Sequence, residues 1–172
     1  MEKLDSNPIY KIALEISNAD TTVVSDINEC VLHISDYYAK HRENYENRSI
    51  KENHDNAKLQ WIGMVDSLLE NEYICECDYK EELDEFIACV ESLKGVIEQS
   101  LPIDSDWFDE EDEITDWCKI IDQKWKPFDM CIACIDIGSD CYDMFPCSQN
   151  KLDMLRKYAF EAGYRIDLAC KL

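Results

Sequence analysis

The sequence predicts an α+β fold, with four to five helices packed on one small mixed or antiparallel β-sheet in a single domain spanning residues 1–172. The chain has 172 residues and is 46% hydrophobic, which is enough to enclose one core. It contains only four Gly and four Pro, which are few for an all-β protein with many tight turns. Apolar residues recur at helical spacing along most of the chain and alternate with period two in a few short segments.

The N-terminal third has the periodicity of helices. Asn7 followed by Pro8 predicts a helix start, because Asn is a favourable N-cap and Pro fits the first turn. A second helix is expected to begin near Thr22 and to lose its pattern in the polar stretch 40–56, which reads as a loop or a frayed helix end. The pattern returns near Lys58 and predicts a third helix.

The middle of the chain alternates between strand and helix signals. Residues 73–78 alternate with period two and predict a short strand, after which Asp78 is placed to cap a helix. The segment 80–98 is the most regular in the chain and predicts one continuous helix. Another helix is expected over residues 109–124, with Pro127 marking its end.

A β-hairpin is predicted near the C-terminal end. Its strands are expected at residues 130–137 and 140–145, joined by a two-residue type II′ turn at Gly138 and Ser139. Ser148 then serves as the N-cap of a last helix. A final strand at residues 165–169 is expected to join the same sheet.

The net charge limits the possible partners. The chain carries 38 acidic and 17 basic residues, a formal charge of −21, which repels nucleic-acid backbones and anionic membrane surfaces. No apolar run reaches the roughly 20 residues that a membrane helix needs. The N-terminal residues lack the pattern of a secretory signal, so a cytoplasmic location is expected.

Most of the negative charge lies in the middle of the chain, and its densest part is residues 104–116, here called the acidic segment. One interpretation is a solvated loop that leads into a helix. The other is a docking surface for a basic protein partner, with two aromatic anchors among the carboxylates. The candidate binding residues are Asp104, Asp106, Trp107, Phe108, Asp109, Glu110, Glu111 and Asp112.

The ten cysteines are expected to be reduced and mostly buried. Cys131 and Cys134 lie in a predicted strand, so their thiols point to opposite faces of the sheet. Cys75 and Cys77 place both thiols on one face, but the sequence shows no equally good partner pair. Neither a zinc site nor a redox-active pair is therefore expected.

A second candidate site lies at the hairpin turn. Asp136, Asp140 and Asp143 could together hold Mg²⁺ or Ca²⁺ and support a carboxylate-dependent or metal-dependent hydrolase. The alternative is that Asp136 and Asp140 accept hydrogen bonds from backbone amides of the turn. The motifs of nucleophile elbows and glycine-rich phosphate loops are absent from the sequence.

Two blocks of the sequence, residues 71–87 and 131–169, resemble a bacterial family of small proteins of unknown function. The second block carries a D-x-G-S-D-x-Y hairpin, beginning at Asp136. The combination of short strands, helices and an acidic segment bearing tryptophan is also similar, more distantly, to SMI1/KNR4-like immunity proteins. That resemblance implies neutralisation of a partner toxin by surface complementarity, and neither resemblance implies catalytic residues.

The sequence thus predicts a non-enzymatic acidic module, an immunity or adaptor protein that docks a basic partner and binds neither nucleic acid nor membrane. No cofactor is required by this hypothesis. The alternatives are a hydrolase centred on residues 136–143 and a purely structural domain.

Overall fold

The protein has an α+β fold in which helices cover both faces of a four-stranded sheet. The structure, a computed structural model, describes residues 2–172, with side chains from Leu4 onward. The helices are α1 (Glu2–Asp5), α2 (Pro8–Ile16), α3 (Thr21–Leu32), α4 (Ile34–Lys40), α5 (Arg42–Asn47), α6 (Asn56–Glu70), α7 (Leu83–Glu91), α8 (Lys94–Gln99), α9 (Ile114–Trp125) and α10 (Gln149–Glu161). The strands are β1 (Cys75–Asp78), β2 (Met130–Ile135), β3 (Cys141–Ser148) and β4 (Ile166–Leu168).

The sheet is antiparallel throughout and has the order β1-β3-β2-β4. β3 forms a hairpin with β2. On its other side it pairs with β1, where Glu76 is opposite Asp143. β4 adds to the free side of β2, with Ile135 opposite Ile166. The predicted small sheet, built from the 73–78 strand, the hairpin and the terminal strand, is confirmed.

The alternation of side chains along the strands creates two separate cores. Ile135 and Phe145 point to one face and pack with apolar residues of α2, α3, α6 and α10. Ile132 and Met144 point to the other face and pack with residues of α7, α8 and α9. Neighbouring residues of a strand point to opposite faces, and both faces of the sheet are covered by helices. β2 is therefore buried along its whole length. Cys131 and Cys134 lie in different cores, as predicted.

The N-caps predicted at Asn7 and Ser148 are confirmed. Asn7 Oδ1 accepts hydrogen bonds from the backbone N–H groups of Ile9 and Tyr10, so it caps α2. Ser148 Oγ accepts one from the N–H of Lys151 and caps α10. These side chains satisfy N–H groups that have no partner inside the helix.

The prediction of one helix over residues 80–98 is wrong, because the segment forms α7 and α8. The backbone N–H of Lys94 donates to the carbonyl of Glu72 at 3.0 Å instead of continuing the helical ladder. Ile97, expected on the buried face, is 63% exposed. Asp78 does not cap this helix either, since its carboxylate accepts from the N–H of Lys80 in the turn that precedes α7.

The predicted second helix is also divided. The backbone leaves helical geometry at His33 and His41, which separates α3, α4 and α5. Tyr45, within the stretch predicted to be a loop or frayed end, is fully buried and its hydroxyl donates to the carbonyl of Leu59 at 2.8 Å. The polar stretch therefore supplies an anchor of the core.

Two further boundaries differ from the prediction. The helix expected over residues 109–124 begins only at Ile114. In the hairpin, residues 136–140 connect the strands, so the predicted two-residue type II′ turn is wrong. The chain leaves the ladder early because Trp61 Nε1 donates to the carbonyl of Asp136 at 3.1 Å and Lys58 Nζ donates to that of Ile137 at 3.0 Å.

None of the helices in residues 2–172 is long and apolar enough to cross a membrane.

Candidate functional site

The acidic segment forms an exposed loop after α8 and ends in the first residues of α9. Its first part forms a short 3₁₀ turn at residues 105–107, and the rest runs without regular structure to the start of α9. Its carboxylate side chains before α9 are exposed to solvent. They belong to Asp104, Asp106, Asp109, Glu110, Glu111, Asp112 and Glu113.

Two buried tryptophans fix this loop to the core. Trp125 Nε1 donates a hydrogen bond to the carbonyl of Pro102, and Trp117 Nε1 donates one to the carbonyl of Asp109, each at 2.8 Å. Within the loop, the carboxylates of Asp104 and Asp109 each accept a backbone N–H two residues further along. The two aspartates thus shape the loop, as the solvated-loop interpretation expects, while the indoles anchor it.

The predicted aromatic anchors are only partly available. Trp107 and Phe108 are half-buried. Phe108 packs edge-on against Phe86 with 6.1 Å between ring centroids, and Lys124 Nζ lies 5.0 Å from the centre of the Trp107 ring. Both side chains therefore contribute to the fixation of the loop, and a partner would meet mainly the carboxylates.

On the other side of the sheet, a cavity of about 740 Å³ lies between α5, α6, β1 and the connection from β2 to β3, and we call it the carboxylate cavity. Asn44 and Leu69 contribute to its wall, and Gly138 forms part of its rim. Three carboxylates line it, those of Asp66, Glu70 and Glu76. The lining cations are Arg48 and Lys58.

Arg48 bridges two of these carboxylates. Its Nε atom lies 2.7 Å from Asp66 Oδ1 and its Nη1 atom lies 2.7 Å from Glu76 Oε2. The side chains of Arg48 and Asp66 are largely buried, which strengthens the attraction. Burial raises the pKa of Asp66, and the charge of Arg48 opposes this effect.

Asp143 lies behind the cavity wall and is completely buried. Neither of its carboxylate oxygens has a hydrogen-bond donor within the described part of the chain. Burial first, and then the charge of Glu76 across the strand pair, raise the pKa of Asp143 to about 8. This shift favours the protonated form of Asp143, whose hydroxyl can donate a hydrogen bond, which an ionised carboxylate cannot do.

Two neighbouring carboxyl groups whose environments differ are the arrangement by which proteins keep an acid and a base side by side. Here Glu76 reaches the cavity and Asp143 stands behind it. The pair could hold a proton next to a bound molecule, and the lining carboxylates could accept a cationic group.

The turn carboxylates predicted as a metal site are not brought together. Asp136 Oδ1 accepts the N–H of Gly138 at 2.8 Å, which is the backbone role given as the alternative. Asp140 is exposed, and its carbonyl accepts the N–H of Tyr79. Asp143 points into the protein. Among residues 2–172, these three carboxylates do not form a group whose oxygens converge within 4.8 Å.

Sequence reasoning named Asp143 but missed the residues around it. Arg48, Asp66 and Glu76 come from three different elements and meet only because β1 pairs with β3 beside α6. The one local signal was the alternation of residues 73–78, which puts Glu76 on the face opposite Cys75 and Cys77.

The fold and the two sites define an acidic α+β protein with a fixed carboxylate loop on one side of its sheet and a carboxylate cavity on the other. A family model described as a domain of unknown function, DUF6630, matches residues 8–169. The chain belongs to this family. Comparison with curated proteins and with solved structures finds no match.

Proposed function

We propose that the protein is a non-enzymatic binding module that docks a basic protein partner through its acidic segment. The observation that carries this proposal is the combination of exposed carboxylates with a loop fixed to the core by two indole hydrogen bonds. Within the described part of the chain, Glu110, Glu111 and Asp112 form no ion pair. Their charges are free to meet a cationic surface.

Fixation of the loop favours binding because less conformational freedom is lost when a partner docks. Clustered charges of one sign also accelerate association with an oppositely charged partner. An immunity or adaptor role is consistent with a fixed, charged loop, since such proteins recognise a partner by complementarity of surface.

The proposal is tested with three carboxylates that do not shape the loop. We expect the triple variant Glu110→Gln, Glu111→Gln, Asp112→Asn to bind a fluorescein-labelled oligolysine peptide about tenfold more weakly than the wild type. Each exposed ion pair contributes roughly 0.2 to 1 kcal/mol, and three together give a loss of this order. Fluorescence anisotropy at low salt measures the affinity, which should fall as salt is added.

The matched control is Glu46→Gln, Glu91→Gln, Glu161→Gln, which removes three exposed carboxylates elsewhere and changes the net charge by the same amount. This variant should keep most of the wild-type affinity. Equal weakening in both triple variants would show that only net charge matters and would reject a docking role for the acidic segment.

A second candidate function, a carboxylate-dependent hydrolase, is favoured by the pairing of Glu76 with the buried Asp143 at the carboxylate cavity. If it is correct, Glu76→Gln abolishes turnover of p-nitrophenyl esters or phosphates that the wild type hydrolyses. Glu70→Gln, which alters a carboxylate of the same cavity that accepts a hydrogen bond from Asn44, keeps this turnover. A wild-type protein without turnover on this panel, or equal effects of the two variants, counts against a hydrolase.

A further inference from the structure

Three cysteine thiols meet on the side of the sheet opposite the carboxylate cavity. Cys75 and Cys77 come from β1 and Cys89 comes from α7, and their sulfur atoms all lie within 4.8 Å of one another. All three are free thiols. Cys75 and Cys77 are 6% and 1% exposed, whereas Cys89 is half-buried and open to solvent on one side.

The convergence follows from the geometry of both elements. Residues two apart on a strand point to the same face, so β1 presents Cys75 and Cys77 side by side. Helix α7 packs on this face. Its Phe86 and Val90 are buried there, and its Cys89 is partly buried against the same core. The partner that the sequence did not reveal for the C-x-C pair is thus a single thiol from a helix.

We propose that Cys75, Cys77 and Cys89 bind one Cu(I) ion through three thiolates. Thiolate ligands select soft ions, and Cu(I) accepts three-coordinate sulfur ligation. Zn²⁺ prefers four ligands, and within residues 2–172 no fourth His, Cys, Asp or Glu belongs to the group. The burial of two of the thiols keeps water away from the ion, while Cys89 marks the side of entry.

Binding is a ligand exchange without electron transfer. Copper enters and remains as Cu(I), each S–H bond is replaced by a sulfur–copper bond, and the three protons pass to solvent. Uptake is therefore stronger at higher pH.

The test uses the reduced full-length chain under anaerobic conditions, with Cu(I) supplied as its bicinchoninate complex. We expect the wild type to withdraw one Cu(I) per chain from this coloured chelator. Loss of a ligand costs more than the 10- to 100-fold typical of outer-shell changes, so Cys89→Ser should lower the affinity by at least about 100-fold. Cys141→Ser is the matched control, because Cys141 is also half-buried but belongs to the rim of the carboxylate cavity; it should leave the affinity unchanged.

Copper-edge X-ray absorption gives a second measurement, which identifies the atoms bound to copper directly. We expect three sulfur neighbours around copper in the wild type and two sulfur neighbours in Cys89→Ser. Equal affinities of Cys89→Ser and the wild type, an equal loss in Cys141→Ser, or nitrogen and oxygen neighbours in place of sulfur would each overturn the proposal.

Discussion

Asp143 is the residue at which the fold bears its clearest electrostatic cost. It is completely buried, lies opposite Glu76 in the β1–β3 ladder and has no donor within the described residues. Arg48, whose charge acts to lower the pKa of Asp143, already pairs with Asp66 and Glu76. Burial therefore favours the neutral, protonated form of the Asp143 carboxyl group.

The stability of the protein should consequently depend on the titration of Asp143. An unfolded aspartate has a pKa of about 3.9, and the native value is about 8, so between these values the native state holds a proton that the unfolded state has released. The contribution of Asp143 to stability is complete below about pH 4 and is lost as the pH rises toward 8. In Asp143→Asn the neutral amide replaces the protonated acid at every pH.

Urea unfolding of both proteins across this pH range measures the effect. We expect the difference in the free energy of unfolding to move by roughly 3 kcal/mol in favour of Asp143→Asn between pH 5 and pH 8. Comparison with the wild type cancels other titrating groups such as Asp122, whose pKa burial raises to about 6. Parallel stability curves for the two proteins would show that Asp143 ionises normally.

Among the elements, the N-caps of α2 and α10 could be predicted from the sequence, whereas the division between α7 and α8 could not. Asn7 and Ser148 were identified as caps because a cap needs only neighbouring backbone N–H groups. The division between α7 and α8 depends on the carbonyl of Glu72, which no periodicity in residues 80–98 reveals. The same holds for the carboxylate cavity, whose Arg48 and Glu76 meet through strand pairing that the sequence does not specify.

The packing of α6 against the N-terminal helices requires a glycine. A Cβ atom on Gly63 would lie 2.7 Å from both Cys30 Sγ and Tyr45 Oη and 2.9 Å from Tyr37 Cε1. All three neighbours are buried, so none moves away at low cost. At Gly63, α6 thus lies close to side chains of α3, α4 and α5.

We expect Gly63→Ala to lower the free energy of unfolding by about 1 to 3 kcal/mol, because overpacking outweighs the better helix propensity of alanine. Urea unfolding, monitored by circular dichroism, measures this change in the free energy of unfolding. Gly163→Ala is the control for a glycine with open space around the added methyl group. Its φ of +82° is unfavourable for alanine, but beyond the two adjacent residues no described atom lies within 4 Å of the added Cβ, and the expected cost is about 1 kcal/mol. If Gly63→Ala is as stable as the wild type, the described packing of α6 is incorrect.

At the scale of the whole molecule, the sheet separates the candidate sites. Residues 70–116 carry a net charge of −16 of the total −21, since they contain 18 acidic and 2 basic residues. The acidic segment joins the core built on α7 and α9 through Phe108, whereas the carboxylate cavity lies beside α6 on the other face. A basic partner on the acidic segment would leave the cavity free, so the two candidate functions can be distinguished on one protein.

Amide NMR shows whether a basic peptide docks on the acidic segment. ¹⁵N-labelled protein is titrated with the oligolysine peptide, and each backbone amide is followed. We expect the largest chemical-shift changes in residues 104–112, and we expect them to become smaller as salt is added. Changes concentrated around Arg48, Glu76 and Gly138, or spread evenly over every acidic surface, would contradict docking on the acidic segment.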